Sequence, residues 1–275
     1  MKKINFNLGG GATNRLKAFT LAEVLITLAI IGVVAALTIP AVVANYKKTE
    51  IETQLKSTYS ILSNALNLAI KDYGPAYTWS IERQGSSNKN AELFLKQYFV
   101  PYLKVARDCG TSNEGECKHQ IYALGGGKFN YGYGGNPSEN FAKIYLANGT
   151  YIGSNVSSEG DKFVQLQFFI DANGHKKPNQ VGVDIHFLAL NLSPPTKTTS
   201  KRGYRFSVVG GNTIAESIKY SSYGCQKPST SADGGFGVYC ASVLFANGWK
   251  IPSVDEYVQM AGGDENYRAK YPWNF

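Results

Sequence analysis

The first long apolar stretch of the chain covers residues 19–39, where sixteen of twenty-one residues are apolar. At about 1.5 Å per residue, a helix of this length crosses the hydrocarbon core of a membrane, which is about 30 Å thick. The flank before it has no acidic residue and four basic ones: Lys2, Lys3, Arg15 and Lys17. Because basic flanks stay in the cytoplasm, the pattern predicts one membrane span, with residues 1–17 cytoplasmic and the rest exported.

A second pattern, with apolar residues three and four positions apart, follows the span and indicates an amphipathic helix. Its apolar positions are Ile51, Leu55, Tyr59, Leu62, Leu66, Ala69 and Ile70. The tripeptide Tyr73-Gly74-Pro75 predicts its end, so that span and extension form one helix of about fifty residues. The apolar stripe must pack on a downstream domain; the alternative is a coiled coil, for which the stripe covers few heptads. A shorter helix is predicted from Asn90 to about Arg107, interrupted at Pro101.

Strand patterns dominate the second half of the chain. The strongest is a hairpin formed by residues 142–146, an Asn148-Gly149 turn and residues 151–152. Other segments with strand character are 162–170, 184–190, 204–209 and 241–246. The tripeptide Ala-Asn-Gly recurs without a constant period, which indicates a reused turn, at 147–149, 172–174 and 246–248. The predicted fold class is α+β, with a long N-terminal helix packed on a head that contains an antiparallel sheet.

Charge and cysteine content narrow the class of protein. The 275 residues carry a net charge of +8, and the four basic residues before the span account for half of it, so that the charge does not indicate nucleic-acid binding. The four cysteines fall into two local pairs, Cys109 with Cys117 and Cys225 with Cys240. Two such pairs without a Cys-x-x-Cys motif favour disulfides, which places these segments outside a reducing cytoplasm. A zinc site that uses all four cysteines is the alternative.

Glu23 does not suit an ordinary membrane anchor, because it places a carboxylate inside the apolar run. Burying an ionised carboxylate in a membrane is costly unless its charge is compensated. No basic residue lies within helical reach on the apolar side. The sequence therefore predicts a cationic partner from elsewhere, either another chain or a newly created α-amino group.

The segment Lys17-Ala18-Phe19-Thr20-Leu21-Ala22-Glu23, followed by the apolar run and Pro40, resembles the prepilin N-terminus of type IV pilins and type II secretion pseudopilins. The resemblance implies that a prepilin peptidase cuts between Ala18 and Phe19 and then methylates the new amine of Phe19. It also implies that Glu23 pairs with this amine on a neighbouring subunit and that Pro40 kinks the helix. Two residues depart from the usual pattern: Ala18 replaces a glycine, and Ala22 replaces a larger aliphatic residue.

The same resemblance implies a structural filament subunit that is not an enzyme. Its parts would be a cytoplasmic leader at 1–18, a transmembrane and assembly helix at 19–40, an amphipathic extension at 41–73 and an extracytoplasmic head at 74–275. The implied partners are other pilin or pseudopilin subunits, prepilin peptidase, the inner-membrane assembly platform and the lipid bilayer; no specific nucleic acid is predicted. The chain would be held in the bacterial cytoplasmic membrane with its N-terminus inside, and would then enter an extracytoplasmic pilus or pseudopilus.

Three alternatives remain open at the level of the sequence. The first is a plain, uncleaved membrane anchor that carries a ligand-binding head. The second is a secreted ligand-binding protein, cut by signal peptidase after Val42-Val43-Ala44. The third is an extracytoplasmic hydrolase whose site the sequence does not reveal.

The loop from Asp171 to Asp184, which reads DANGHKKPNQVGVD, resembles a D-x-N-G-x-K-x-P-N-x-x-G-x-D loop of many prepilin-type proteins. Asp171, Asn173, Asn179 and Asp184 offer oxygen ligands of the kind that calcium prefers. Their spacing does not match an EF-hand, and a tight connection between strands with Asx turns is the favoured alternative. Calcium is thus the one cofactor that the sequence suggests.

The sequence contains no recognisable catalytic motif. His119, His175 and His186 fall in three different contexts, and neither a Gly-x-Ser-x-Gly motif nor a pair of carboxylates for acid–base catalysis is visible. The glycine-rich segment 125–135 lacks the spacing of a phosphate-binding loop. We therefore predict no enzymatic activity.

Overall fold

The computed structural model describes residues 20–82, 87–129, 141–159, 162–194, 206–228 and 236–274. The chain divides into two compact units, with the boundary between Asn45 and Tyr46. The cleavage-site residues Ala18 and Phe19, and Tyr204 and Arg205 of one predicted strand, lie outside the described residues.

The first helix, α1, spans Leu21–Tyr73 and runs through Pro40 without a break, which confirms the long helix predicted from the sequence. In the first unit its large apolar side chains are exposed; Leu21 is 78%, Leu37 is 75% and Val42 is 65% exposed. This part of α1 is long and apolar enough to cross a membrane.

In the second unit, α1 buries the predicted apolar stripe. Ile51, Leu55, Leu62 and Leu66 lie in one core with the second helix, α2, which spans Ser87–Tyr98. Complete burial of a leucine or isoleucine side chain contributes about 1.5–3 kcal/mol. The stripe is therefore covered by the head of the same chain, as the packing prediction requires.

The head contains a six-stranded antiparallel sheet in which each strand pairs with the next along the chain. The strands are β1 Val105–Gly110, β2 Ala142–Leu146, β3 Tyr151–Glu159, β4 Lys162–Asp171, β5 Ile185–Asn191 and β6 Ser207–Val208. This order confirms the predicted hairpin and the α+β class.

Both faces of the sheet are covered. Alternate residues of a strand point to opposite faces, and in β4 Phe168 and Ile170 join the core under the helices. Phe169 joins a second core on the other face, formed with the segment around Ile121 and Phe129. Gly153 of β3 lies under the Phe169 ring, which occupies the space that a Cβ atom would need.

Two element predictions are wrong. Residues 105–110 form the edge strand β1 rather than the end of a helix: α2 ends at Tyr98, and a 3-10 turn, Val100–Tyr102, contains Pro101. Proline lacks the N–H that would continue the helix, and β2 offers a pairing partner instead. The apolar run 241–246 belongs to a short helix, Cys240–Ala246, rather than a strand.

After β6, the described residues form three short α-helices: α3 Ile214–Lys219, α4 Cys240–Ala246 and α5 Val254–Met260. The first and third of them begin with capping boxes, built by Thr213 with Glu216 and by Ser253 with Glu256. The three Ala-Asn-Gly tripeptides end in glycines with positive φ (87°, 68° and 68°), at Gly149, Gly174 and Gly248. The tripeptide therefore places a left-handed residue after two strands and after one helix.

Candidate assembly segment and buried polar cluster

Thr20 and Glu23 cap the N-terminus of α1. The Glu23 carboxylate accepts hydrogen bonds from the Thr20 backbone N–H (2.8 Å) and from the Thr20 hydroxyl (2.9 Å). In return, the Thr20 hydroxyl oxygen accepts a hydrogen bond from the Glu23 backbone N–H (3.2 Å). This reciprocal pair is a capping box, so Glu23 has a polar partner inside its own chain. Because Thr20 is uncharged, the charge of Glu23 is not neutralised by this contact, and a cationic partner remains a prediction.

The two cysteine pairs form the disulfides that the spacing predicts, Cys109–Cys117 and Cys225–Cys240. The first closes the turn that contains Glu116, whose side chain pairs with Arg107. The second joins the buried Cys225 to the first residue of α4, and the Tyr257 hydroxyl donates a hydrogen bond to the Cys225 carbonyl (2.7 Å). All four cysteines are therefore oxidised, and no thiol is free.

The loop 171–184 is organised by its own hydrogen bonds. Asp184 accepts the backbone N–H of Gln180 on Oδ1 (2.6 Å) and that of Asn179 on Oδ2 (2.9 Å). Asp171 accepts the backbone N–H of Asn173 on Oδ1 (3.2 Å). The Asn173 side chain satisfies its neighbours when its amide nitrogen faces the carboxylates, and it then donates to Asp171 Oδ1 (2.8 Å) and Asp184 Oδ2 (3.3 Å). These contacts are the Asx-turn network that the alternative to calcium requires.

The two carboxylates of this loop are completely buried. Burial, followed by the charge of Asp171, raises the pKa of Asp184 to about 7. Burial also raises the pKa of Asp171 well above its ordinary range. Two acids close together in a dry site repel each other when both are ionised, so the loop holds fewer than two negative charges unless a cation compensates them.

Of the four predicted calcium ligands, two have a buried oxygen that accepts no hydrogen bond: Asn179 Oδ1, and Asp171 Oδ2, whose near neighbour is the His119 ring. The other two, Asp184 and Asn173, use their polar atoms within the loop. Calcium takes six to eight oxygen ligands, so the loop would have to give up internal hydrogen bonds to complete a shell. Among the described residues, no three His, Cys, Asp or Glu side chains are grouped so that they could hold one metal ion. Calcium binding by this loop therefore stays a prediction.

The structure brings together two histidines that the sequence left in separate contexts. Nδ1 of His119 lies 2.7 Å from Nδ1 of His175, and Nε2 of His119 lies 2.6 Å from Oδ2 of Asp171. Nε2 of His175 lies 2.6 Å from the carbonyl oxygen of Glu116. The Tyr145 hydroxyl contacts the same ring nitrogen and donates a hydrogen bond to the same carbonyl (2.7 Å). We call Asp171, His119, His175 and Tyr145 the polar cluster.

Strand parity explains how this cluster forms. Tyr145 of β2 pairs with Tyr151 of β3, and Tyr151 pairs with Asp171 of β4, so all three side chains point to the same face of the sheet. His119 follows the first disulfide along the chain and packs on the Tyr151 ring, with 4.7 Å between the ring centroids. The matched polar positions in β2, β3 and β4 were visible in the sequence, but the histidines are 56 residues apart and carry no local signal of their contact. His186 lies apart from them, because its strand neighbours Ile185 and Phe187 point to the face of the cluster and His186 points to the other.

The polar cluster combines a buried and an exposed imidazole. His119 is completely buried, and burial lowers its pKa to about 4, whereas the charge of Asp184 acts in the opposite direction. His175 is exposed, and partial burial of its ring lowers its pKa as well. Both rings are therefore neutral near pH 7. A surface cavity of about 730 Å³ borders the exposed end and is lined by residues that include Arg107, Glu116, Lys118, Tyr145 and His175.

Comparison with known families gives two matches. Residues 41–257 match a family of unknown function (DUF6613), over more than half of the chain. The chain belongs to this family. Residues 13–39 match the prokaryotic N-terminal methylation motif, which is the prepilin signature of type IV pilins. No curated protein and no solved structure matches the chain.

The two matches meet at Pro40, where the predicted membrane span ends. This member of the family therefore combines a prepilin-type N-terminus with an α+β head. The methylation motif and the apolar helix α1, the one candidate span among the described residues, support a membrane-anchored, pilin-like protein, and they favour a structural subunit over an enzyme.

Proposed function

We propose that the chain is a structural subunit of a type IV pilus or of a type II secretion-like filament. The observation that carries this proposal is the methylation motif at 13–39, which overlaps an exposed apolar helix that begins with Thr20 and Glu23. In the proposed pathway, prepilin peptidase removes residues 1–18 and methylates the amine of Phe19. The mature chain then stays in the cytoplasmic membrane through residues 19–40, with residues 41–73 and the head 74–275 outside.

Assembly would bury the exposed apolar side chains of α1 against the same helix of neighbouring subunits. In that environment Glu23 needs a positive charge, and the methylated amine of Phe19 on a neighbour supplies one. The peptidase, the assembly platform of the inner membrane and the bilayer are the further proposed partners.

We expect the mature protein to begin at N-methylated Phe19. Mass spectrometry of the N-terminal peptide, from protein made in a host with an active prepilin peptidase, tests this directly. Ala18→Gly should keep or improve processing, because it restores the glycine usual at that position, whereas the large side chain of Ala18→Trp should block it. A start at Met1 would instead indicate a plain anchor, and a start at Asn45 would indicate a secreted protein.

A second proposal concerns calcium in the loop 171–184, and it is favoured by the buried Asp171 carboxylate and by the buried Oδ1 of Asn179, which has no hydrogen-bond partner. Calcium at about one hundred times its dissociation constant would stabilise the protein by about 2.7 kcal/mol, a rise in melting temperature of roughly 5–10 °C. Thermal melts in detergent, with chelator and then with calcium, measure this shift. Magnesium is the control ion, and Asp184→Asn should remove the response. If the wild type melts at the same temperature with and without calcium, the loop is a hydrogen-bonded turn alone.

A further inference from the structure

The polar cluster belongs to the head and not to the N-terminal segment that carries the proposed filament function, and it joins two loops. His119 comes from the segment after the Cys109–Cys117 disulfide, and His175 comes from the loop between β4 and β5. The cluster places two ring nitrogens 2.7 Å apart, with one ring completely buried and the other open to solvent.

The neighbours of the two Nε2 atoms determine which ring nitrogens of His119 and His175 carry protons. A carbonyl oxygen only accepts hydrogen bonds, so Nε2 of His175, 2.6 Å from the Glu116 carbonyl, carries a proton when the Tyr145 hydroxyl donates to that carbonyl, and Nδ1 of His175 is then a lone pair. If Asp171 is ionised, Nε2 of His119 carries a proton as well, and its Nδ1 is a second lone pair. Two lone pairs that face each other at 2.7 Å repel unless a cation lies between them. Without a metal, the contact is satisfied when Asp171 is protonated and Nδ1 of His119 carries the proton.

Two buried atoms of the cluster, His119 Nε2 and Asp171 Oδ2, lie 2.6 Å apart without forming an aligned hydrogen bond. The metal-free arrangement, in which a protonated Asp171 would donate a hydrogen bond to Nε2 of His119, is therefore not formed in this structure. A metal ion binds to neutral imidazole, whose unprotonated ring nitrogen offers it a lone pair.

We propose that His119 and His175 bind one divalent transition-metal ion through their Nδ1 atoms. Nitrogen ligands about 2.0–2.1 Å from a metal lie about 2.9 Å apart at a right angle and about 3.3 Å apart at a tetrahedral angle. The observed 2.7 Å is nearer to the right angle, which Cu²⁺ and Ni²⁺ prefer. The exposed His175 can adjust by the remaining few tenths of an ångström, and water from the bordering cavity completes the shell.

The surroundings match those of metal-binding histidines. Such a histidine usually donates its other ring N–H to a carboxylate or a backbone carbonyl. Asp171 Oδ2 lies 2.6 Å from Nε2 of His119 and would take that place when a metal is bound, and the Glu116 carbonyl lies 2.6 Å from Nε2 of His175. Asp171 and Asp184 together hold fewer than two negative charges, and the nearby positive charges are the buried Lys143 and the cavity residues Arg107 and Lys118. The bound ion would cross-link the segment that follows the Cys109–Cys117 disulfide to the loop between β4 and β5.

The test is titration of tag-free, full-length protein in detergent with Cu²⁺, followed by calorimetry and by electron paramagnetic resonance. The chain has three histidines and no free thiol, so imidazole signals are readily assigned. We expect one equivalent of Cu²⁺ bound, with coupling to two imidazole nitrogens. His175→Ala should weaken binding at least about tenfold and leave one coupled imidazole, and Asp171→Asn should weaken it about 10- to 100-fold.

Lys176→Ala is the matched control, since it changes the neighbouring exposed residue and removes its ion pair with Glu50 without altering either histidine. This variant should bind Cu²⁺ as the wild type does. Thermal melts of each variant without metal show that the head is folded. If the wild type does not bind Cu²⁺, or if His175→Ala binds it equally well, the histidines form a hydrogen-bonded pair and the metal site does not exist.

Discussion

Replacing Glu23 with alanine is expected to leave the protein in the membrane and to remove it from filaments. The variant lacks the carboxylate inside the apolar run, so insertion should not suffer. Packing against neighbouring subunits would then leave the cationic amine of Phe19 without its proposed partner, and removing one member of a buried ion pair is strongly destabilising. We expect the amount of protein in purified filaments to fall at least about tenfold, while the amount in the membrane fraction stays unchanged.

Two matched variants separate the charge of Glu23 from its capping role. Glu23→Gln keeps an oxygen that can accept from the Thr20 N–H but has no charge, and it should assemble as poorly as Glu23→Ala. Thr20→Ala removes the hydroxyl of the capping box but keeps the charge, and it should still assemble. The opposite result, with Glu23→Gln in filaments and Thr20→Ala excluded, would show that the cap, rather than the pairing with an amine, controls assembly.

Loss of the Cys225–Cys240 disulfide is expected to destabilise the head more than loss of Cys109–Cys117. The loop closures of 15 and 8 residues correspond to about 3 and about 2.5 kcal/mol. Cys225 and Cys240 are also completely buried, so replacing both with alanine leaves unfilled space in the core. We expect the melting temperature of Cys225→Ala/Cys240→Ala to fall by at least about 6–12 °C.

The control is Cys109→Ala/Cys117→Ala, measured in the same detergent and compared with the oxidised wild type. It should lose less stability, because Cys117 is only partly buried. An equal or larger loss in this control would mean that the Cys109–Cys117 turn, rather than the α4 connection, limits the stability of the head.

The sequence by itself determined the features that depend on local patterns. The apolar run at 19–39 and the periodic extension after it predict one long helix, and the structure confirms that helix as α1. The β2–β3 hairpin follows from alternation around Asn148-Gly149, and both disulfides follow from cysteines that are close along the chain. In each case the interacting residues are neighbours in sequence, so short-range geometry is sufficient.

Tertiary structure decided the features whose partners are distant in the chain. The segment 105–110 is a strand because β2 pairs with it, and the apolar run 241–246 is helical because the helix that contains it packs in the core. Short apolar runs have no periodicity that separates helix from strand, so the residues that pack around them determine which of the two forms. The contact between His119 and His175 spans 56 residues and arises only when β4 returns Asp171 to the face that the disulfide loop covers. No local pattern encodes such a contact, because it depends on how the sheet is assembled.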